Sequence, residues 1–256
     1  MVLEYIGRVV VNLLADDGSP SAAYAVMVRS PPNKARKFYD RGDRLYMGPL
    51  VEGSEPTVQN AGLIFYNTML QKGNALFVTN GQQTDGRTYN GKRPEISFED
   101  TFFPTAEPIT TSEEIMQQWG YEQDSMKTPR VTLARFPNIG LFSIASEYNG
   151  ETRADAIIHQ PGFTPRGLST YEIVDGQAVA RHIANSGEIQ KCLVEIPIGG
   201  NSPEELADSL FHAMHPDLVV ASAAAVFRNG KWQVAFRNRF GTPEDLEAYK
   251  AERGLQ

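Results

Sequence analysis

Three short polar segments in the first half of the chain combine residue types that can bind and process a small anionic molecule. They are SPPNKAR (30–36), FYN (65–67) and VTNGQQTD (78–85). The first places cations on a loop stiffened by two prolines, and converging cations can hold a phosphate group. The third carries amides and hydroxyls that can contact a heterocycle or stabilise an oxyanion. Each also has a plainer explanation, as a solvated loop, a core tyrosine or an ordinary turn.

A fourth polar segment follows a predicted helix near the middle of the chain and contains possible acid/base groups. Glu122 and Asp124 are its candidate carboxylates, and Arg130 lies just before the next predicted strand. The plainer alternative is a charged surface loop. Asn67 interrupts an apolar run and would need hydrogen-bond partners if it is buried. We therefore expect a site that combines the first half of the chain with residues near its midpoint.

Neither metal nor thiol chemistry is expected. The single cysteine, Cys192, lies in an apolar run and is predicted to be a small buried side chain. His212 and His215 have a spacing that could bind a metal on a helix, but no HExxH motif or Cys/His set accompanies them. No GxSxG segment is present, and Val2 offers no N-terminal nucleophile after methionine removal.

Composition and charge limit the class of protein. The chain has 256 residues, of which 41% are hydrophobic, and this is enough for a full core. A net charge of −7 argues against nucleic acid as the main partner, because such binding usually needs a basic face. We find no signal segment at the N-terminus and no apolar run long enough to span a membrane. A cytoplasmic protein without membrane contact is therefore expected.

Most of the chain is predicted to form antiparallel strands. Residues 6–15 and 23–30 flank a DDGS turn, and this pattern predicts a hairpin. A second hairpin is expected around Asn229-Gly230. Residues 61–70 are ambiguous between a helix and a buried strand. Further strands are expected at 44–51, 75–80, 131–136, 140–148, 153–159, 168–174, 189–198, 219–227 and 232–238.

Three helices are predicted from their start and stop residues. They are expected to begin at Thr111, Ser202 and Thr242, and the first and last to end near Gly120 and Gly254. Strands and helices do not alternate, so a doubly wound parallel fold is disfavoured and a layered α+β fold is predicted. Because no linker or repeat is found, the whole chain, residues 1–256, is expected to be a single domain.

The order of these motifs resembles that of the archaeal-type IMP cyclohydrolase family. Each motif is short, but together they extend over nearly the whole chain, and their joint order is hard to obtain by chance. The matching segments are YIGR (5–8), Y-x-V-x-x-RSxPN (24–33), FYN (65–67), VTNGxxTD (78–85), YExD…TPR (121–130), STYE (169–172) and HP…AAAxF (215–227).

This resemblance implies both a fold and a reaction. The fold would be the four-layered αββα sandwich of the N-terminal-nucleophile hydrolases, with antiparallel sheets and without self-cleavage. The reaction would close 5-formamido-imidazole-4-carboxamide ribonucleotide (FAICAR) to IMP with loss of water, the last step of de novo purine synthesis. The reverse reaction hydrolyses a cyclic amidine. Such a ring closure needs no cofactor, the partner would be this small nucleotide, and a homo-oligomer is expected.

The family's motifs also imply roles for single residues. Tyr66 would donate a hydrogen bond to the formyl oxygen, Glu122 would move protons, and Lys34 would stabilise negative charge. The residues expected to bind substrate are Arg29, Asn33, Arg36, Asn67, Asn80, Gly81, Thr84, Asp85 and Arg130, with Arg8 as a weaker candidate.

Two positions depart from the family's pattern. Relatives carry arginine directly after the PN pair, whereas this chain has Lys34 there and Arg36 two residues later, so the cation that meets substrate is open. Gln83 stands where the family has histidine, which argues against a required general base at this position. Two other functions therefore stay open: an amidohydrolase acting on another nucleotide or amide, and a non-catalytic purine-nucleotide-binding regulator. Extra segments near 86–110 and 160–190 have no assigned role.

Overall fold

Strands rich in β-branched and small apolar residues form two main sheets in the computed structural model, which describes residues 2–54, 61–84 and 107–254. The strands of the first sheet are β1 (Arg8–Leu14), β2 (Pro20–Met27), β10 (Arg166–Ser169), β13 (Leu193–Glu195), β14 (Val219–Arg228) and β15 (Lys231–Asn238). They are arranged in the order β13-β10-β1-β2-β14-β15, and neighbouring strands run antiparallel.

The second sheet is an antiparallel meander in which each strand pairs with the next along the chain. A separate antiparallel ribbon is formed by β11 (Tyr171–Val174) and β12 (Gln177–Ala180). The seven strands of the meander are β3 (Arg36–Asp40), β4 (Arg44–Pro49), β5 (Tyr66–Lys72), β6 (Ala75–Thr79), β7 (Arg130–Phe136), β8 (Ile139–Tyr148) and β9 (Glu151–His159).

Few helices accompany the sheets, so the fold is α+β with mostly antiparallel strands. The described helices are α1 (Ala61–Ile64), α2 (Pro108–Trp119), α3 (Pro203–Ala213) and α4 (Pro243–Arg253). None of the helices in the described ranges has the length and apolar character needed to cross a bilayer.

Apolar side chains form one core between the two sheets and one beneath each of two helices. Successive side chains of a strand point to opposite faces, so β1 directs Val10 into the core shared by both sheets and Val9 toward α3. Leu210 of α3 packs on the outer face of the first sheet. Ile115 of α2 packs in the same way on the second sheet. Both sheets are therefore covered on two faces, which explains why their central strands are almost wholly apolar.

Several predictions from turn and cap residues are confirmed. Strands β1 and β2 pair as the expected hairpin. Asn229 and Gly230 both have the positive φ values, 54° and 77°, that a tight two-residue turn requires. Ser202 starts α3 with a complete capping box, and Gly254 ends α4 in the left-handed conformation.

Other boundaries were predicted wrongly. The helix expected from Thr111 begins at Pro108, since proline at the first position replaces the side-chain cap as the start signal. Residues 61–70 contain both expected structures, because α1 leads directly into β5.

Two predicted strands are also interrupted. The strand expected at 168–174 is divided at Thr170: β10 pairs with β1, whereas β11 pairs with β12, and the Thr170 hydroxyl between them accepts from the Arg8 amide. The strand expected at 189–198 begins instead as a 3-10 helix, Glu188–Cys192, because the Asp155 carboxylate accepts the Ile189 amide. Strand β3 was not predicted.

Ser202→Ala should lower the free energy of unfolding by about 1 kcal/mol, because α3 loses the acceptor for the Glu205 amide. Chemical denaturation followed by circular dichroism measures this change. Ser186→Ala, at an exposed turn, is the matched control and should change the value by less than about 0.5 kcal/mol. Equal losses in the two variants would contradict a stabilising cap.

Candidate active site

A cleft of about 400 Å³ lies where β1 and β3 begin and β2 ends. Its walls also include residues of the loop after α2 and the first residue of β11. The cleft therefore brings together chain segments that are far apart in sequence. Polar side chains that line it include Arg8, Arg29, Asn33, Arg36, Asp124 and Tyr171.

Gly7 makes the close approach of β1 to Tyr171 possible. Its φ of 72° lies in the left-handed region, and a Cβ atom there would lie 2.3 Å from Thr170 Oγ1 and 2.4 Å from a ring carbon of Tyr171. The Tyr171 ring in turn lies 5.5 Å from the ring of Tyr5, and the Arg29 guanidinium lies 4.2 Å from the Tyr5 ring centre. One wall of the cleft is therefore aromatic and carries a cation at its edge.

A buried ion pair joins β1 to the loop after α2. Arg8 Nη1 donates to Glu122 Oε2 at 3.0 Å, and the Glu122 side chain is only 1% exposed. Arg8 also donates from Nη2 to the Leu63 carbonyl at 3.2 Å. Glu122 Oε1 is buried and has no hydrogen-bond partner among the described residues. Burial raises the pKa of Glu122 above its ordinary range, although Arg8 and Arg130 oppose that rise.

The loop that carries Glu122 is held by its own hydrogen bonds. Helix α2 stops at Gly120, and the Glu122 amide then donates to the Thr128 carbonyl at 2.8 Å. Asp124 accepts from both the Thr128 amide, at 2.9 Å, and the Thr128 hydroxyl, at 2.6 Å. The Thr128 hydroxyl also lies 2.5 Å from that of Tyr171. Asp124 therefore closes the turn, and Glu122 is the carboxylate that the loop presents at the ion pair.

Two buried tyrosines form a hydrogen bond between the sheets. Tyr24 of β2 and Tyr66 of β5 are both inaccessible to solvent, and their hydroxyl oxygens are 2.9 Å apart. Burial raises the pKa of Tyr24 well above its usual value, and Tyr66 adds to this effect. Tyr24 therefore stays neutral and is available as a hydrogen-bond donor.

Arg36, the first residue of β3, presents a cation to the cleft. Its Nη1 donates to the Ile64 carbonyl at 3.3 Å, and its buried Nε has no partner in the described part of the chain. Burial lowers the pKa of Arg36, and nearby Arg8 contributes to this, but a guanidinium stays charged in proteins. Within the described ranges Arg36 makes no ion pair, so its charge is free to attract an anion.

The Lys34 ammonium points elsewhere. It donates to the Asp217 carbonyl at 2.6 Å and to the Tyr249 hydroxyl at 3.1 Å, and it lies 4.8 Å from the Tyr249 ring centre. Lys34 therefore fastens its loop to α4. Of the two cations left open by the sequence, the structure brings Arg36 to the cleft, and Lys34 does not line it.

The described residues of the VTNGQQTD segment, 78–84, form a buried network behind the cleft rather than part of its lining. Asn80 Oδ1 accepts from the Val131 amide at 2.7 Å, and its Nδ2 donates to the Pro129 carbonyl at 2.9 Å. Gln83 Oε1 accepts from Arg130 Nη1 at 3.3 Å. These bonds join the segment to the start of β7 and hold Arg130 near Glu122.

A side chain at position 81 would have to displace the ends of two side chains of this network. A Cβ atom there would lie 2.2 Å from Arg130 Nη1 and 2.6 Å from Gln83 Oε1. Thr84 Oγ1 donates to the backbone carbonyl of Asn67 at 3.0 Å, and both side chains are buried. Asn67, Asn80, Gly81, Thr84 and Arg130 are thus close together but absent from the lining of the cleft. The predicted Asp85 lies outside the described residues.

Two residues of this region were not singled out from the sequence: Tyr171, which lines the cleft, and Tyr24, which like its partner Tyr66 does not. Tyr24 and Tyr171 lie inside the segments 24–33 and 169–172, so their place in those motifs was the available signal. Each looks like an ordinary strand residue when it is considered alone. In the described ranges no group of three or more His, Cys, Asp or Glu side chains has the geometry to hold a metal ion.

Comparison with known proteins shows the family of this chain. The profile of the family described as IMP cyclohydrolase-like protein matches residues 5–231. The chain is 26% identical to the IMP cyclohydrolase of Methanocaldococcus jannaschii over 239 residues, which cover 92% of this chain and 100% of the relative. It is 29% identical to the IMP cyclohydrolase of Haloquadratum walsbyi over 168 residues, which cover 66% of this chain and 71% of the relative. The chain belongs to the IMP cyclohydrolase-like protein family.

Proposed function

We propose that this chain is an IMP cyclohydrolase that closes FAICAR to IMP with loss of water. The observation that carries the proposal is the buried Arg8–Glu122 pair beside the cationic cleft, in a chain of this family. In the closure, the carboxamide nitrogen attacks the formyl carbon and loses a proton. Negative charge builds on the formyl oxygen, which takes two protons and leaves as water. The first proton comes from the carboxamide nitrogen, and the second comes from the formamido nitrogen as it forms the double bond to the former formyl carbon. The site must therefore exchange protons, stabilise one oxygen and hold a phosphate.

Glu122 is proposed to exchange the protons. Its buried carboxyl group has a pKa raised by desolvation, and a raised pKa brings an acid closer to the working pH of a general acid/base group. The carboxylate would take a proton from the carboxamide nitrogen and pass it to the formyl oxygen, and would then relay the formamido proton to the same oxygen as water leaves. The net reaction then leaves Glu122 unchanged, so one carboxyl group serves both steps.

Tyr66 is proposed to donate to the formyl oxygen. Tyr24 supports this role, because a Tyr24 hydroxyl that donates to Tyr66 leaves the Tyr66 hydrogen available for another acceptor. Both rings are fully buried, so a preset donor would stabilise the developing charge without competition from water.

Arg36, in place of Lys34, is proposed to supply the positive charge. Arg36 lines the cleft and has no ion-pair partner among the described residues, whereas the Lys34 ammonium is occupied by Asp217 and Tyr249. Arg29 and Asn33, which are exposed at the cleft, are proposed to hold the phosphate. The buried polar network behind the cleft would act by fixing Arg130.

The finer description of the fold is also a proposal. One core between the sheets and one beneath each of α2 and α3 support a four-layered αββα sandwich like that of the N-terminal-nucleophile hydrolases. We further propose that residues 1–256 form one domain and that the active form is a homo-oligomer in the cytoplasm.

The purified chain should convert FAICAR to IMP without an added metal or cofactor, which chromatographic separation of the two nucleotides measures. Repeating the assay in EDTA tests whether a trace of metal contributes to the turnover. No turnover would contradict the proposal. Tight IMP binding without turnover would then indicate the nucleotide-binding regulator, and turnover of another nucleotide or amide would indicate the amidohydrolase.

Glu122→Gln should lower kcat by about 10²–10⁴-fold, because the amide cannot carry the transferred proton. Tyr66→Phe should lower kcat by about 10²-fold, because it removes one donor to the developing oxyanion. Steady-state kinetics with FAICAR measure both effects. Glu114→Gln, on the exposed side of α2, is the control and should leave kcat unchanged. Normal turnover in either site variant would reject that residue's role.

Arg36→Met and Lys34→Met should separate the two cations. Arg36→Met should lower kcat/KM by about 10²-fold or more, because a charge at the cleft is lost. Lys34→Met should reduce the thermal midpoint while kcat/KM of the folded fraction stays within about threefold, because Lys34 contacts α4. The opposite pattern would restore Lys34 as the catalytic cation.

A further inference from the structure

We propose that Arg8 is a positioning residue which holds Oε2 of Glu122, so that the proton exchanged with substrate is carried on Oε1. This inference rests on the proposed role of Glu122. Arg8 is then a second residue in the proton transfer, and Oε1 is the carboxyl oxygen that meets the reacting atoms.

The Arg8 side chain has a fixed direction. Its backbone amide donates to Thr170 Oγ1 at 3.1 Å, its Nη2 donates to the Leu63 carbonyl at 3.2 Å, and its Nη1 donates to Glu122 Oε2 at 3.0 Å. A planar guanidinium held at two of its nitrogens cannot turn without losing one of these bonds. Arg8 therefore fixes Oε2 relative to both β1 and α1.

The direction of hydrogen bonding distinguishes the two oxygens of Glu122. A guanidinium has no acceptor, so Arg8 always donates, and Oε2 cannot carry a hydrogen along that line. Oε1 is buried and lacks a partner among the described residues. A buried, unpartnered oxygen carries a desolvation penalty, which a hydrogen bond with substrate would relieve. The neutral form of Glu122 therefore carries its proton on Oε1.

Three charged groups act on Glu122 from the elements around it: Arg8 from β1, Arg130 from β7 and Asp124 from its own loop. Among them, Arg8 makes the direct contact with the carboxylate. Arg130 donates to Gln83, and Asp124 accepts from Thr128. A nearby positive charge favours the carboxylate, whereas burial favours the neutral acid. Loss of the Arg8 charge should therefore raise the pKa of Glu122 further.

The test compares Arg8→Gln and Arg8→Lys with the unaltered enzyme through the pH dependence of kcat/KM for FAICAR. Arg8→Gln should move the acidic limb upward by about one to three pH units. Arg8→Lys should move it by less than about one unit, because the charge is kept. Arg29→Gln is the matched control: it removes a cation at the cleft edge and should raise KM without moving the limb.

A second readout is independent of turnover. Carbon-13 NMR of the glutamate side chains, with the Glu122 signal assigned by its loss in Glu122→Gln, follows the titration of this carboxyl group directly. Its midpoint should rise in Arg8→Gln and stay near the original value in Arg8→Lys. If FAICAR is not turned over, the proposed function fails while this measurement still tests the action of Arg8. An unchanged midpoint in a folded Arg8→Gln variant would overturn the inference.

If Arg8→Gln does not fold, the kinetics of Arg8→Lys alone test the positioning role of Arg8. Lysine keeps the charge but loses the fork that holds Glu122 and the Leu63 carbonyl together, so kcat should fall at least about tenfold while KM changes little. Raised KM with unchanged kcat would mean that Arg8 acts only on substrate binding. That result, or unchanged kinetics, would overturn the positioning role.

Discussion

The geometry of the cleft depends on the buried ion pair between Arg8 and Glu122. Removing one member of a buried pair leaves an uncompensated charge in a medium of low dielectric, so each residue requires the other. The pair also connects the first sheet to the loop after α2, and helix α2 itself packs on the second sheet. The contact thus also fixes the distance between β1 and this loop, and both of them contribute to the walls of the cleft.

Four polar side chains, two that line the cleft and two that are buried behind it, share one position in their strands. Arg8, Arg36, Tyr66 and Arg130 are the first residues of β1, β3, β5 and β7, respectively. In an antiparallel meander, alternate strands begin at the same end of the sheet, so the first residues of β3, β5 and β7 lie at one end of the second sheet. The apolar residues that follow are buried in the cores and hold that end of the sheet rigid. Cationic and phenolic groups can therefore gather beside a large hydrophobic core without entering it.

Much of the fold was predictable from short sequence patterns, because turn and cap residues act on the backbone of their immediate neighbours. The Asn229-Gly230 turn and the Ser202 cap are of this kind. The break at Thr170 was not predictable in this way, since it results from bonds to β1 more than 160 residues earlier in the chain. The site shows the same division. Its polar motifs indicated a region where the structure has a cleft, but only tertiary packing turns Lys34 toward α4 and Arg36 toward the cleft.

The long sequence separations at Arg8 have a consequence for folding kinetics. Arg8 contacts Glu122 and Thr170, which lie 114 and 162 residues further along the chain. Loop-closure entropy makes such contacts slow to form compared with those within a hairpin. During synthesis the Arg8 guanidinium has no Glu122 partner until residue 122 has emerged, and the Arg8 amide has no Thr170 acceptor until residue 170 has emerged. Chains that end before Tyr171 should therefore lack part of the cleft, so that appearance of the site reports that the chain has folded at least as far as β11.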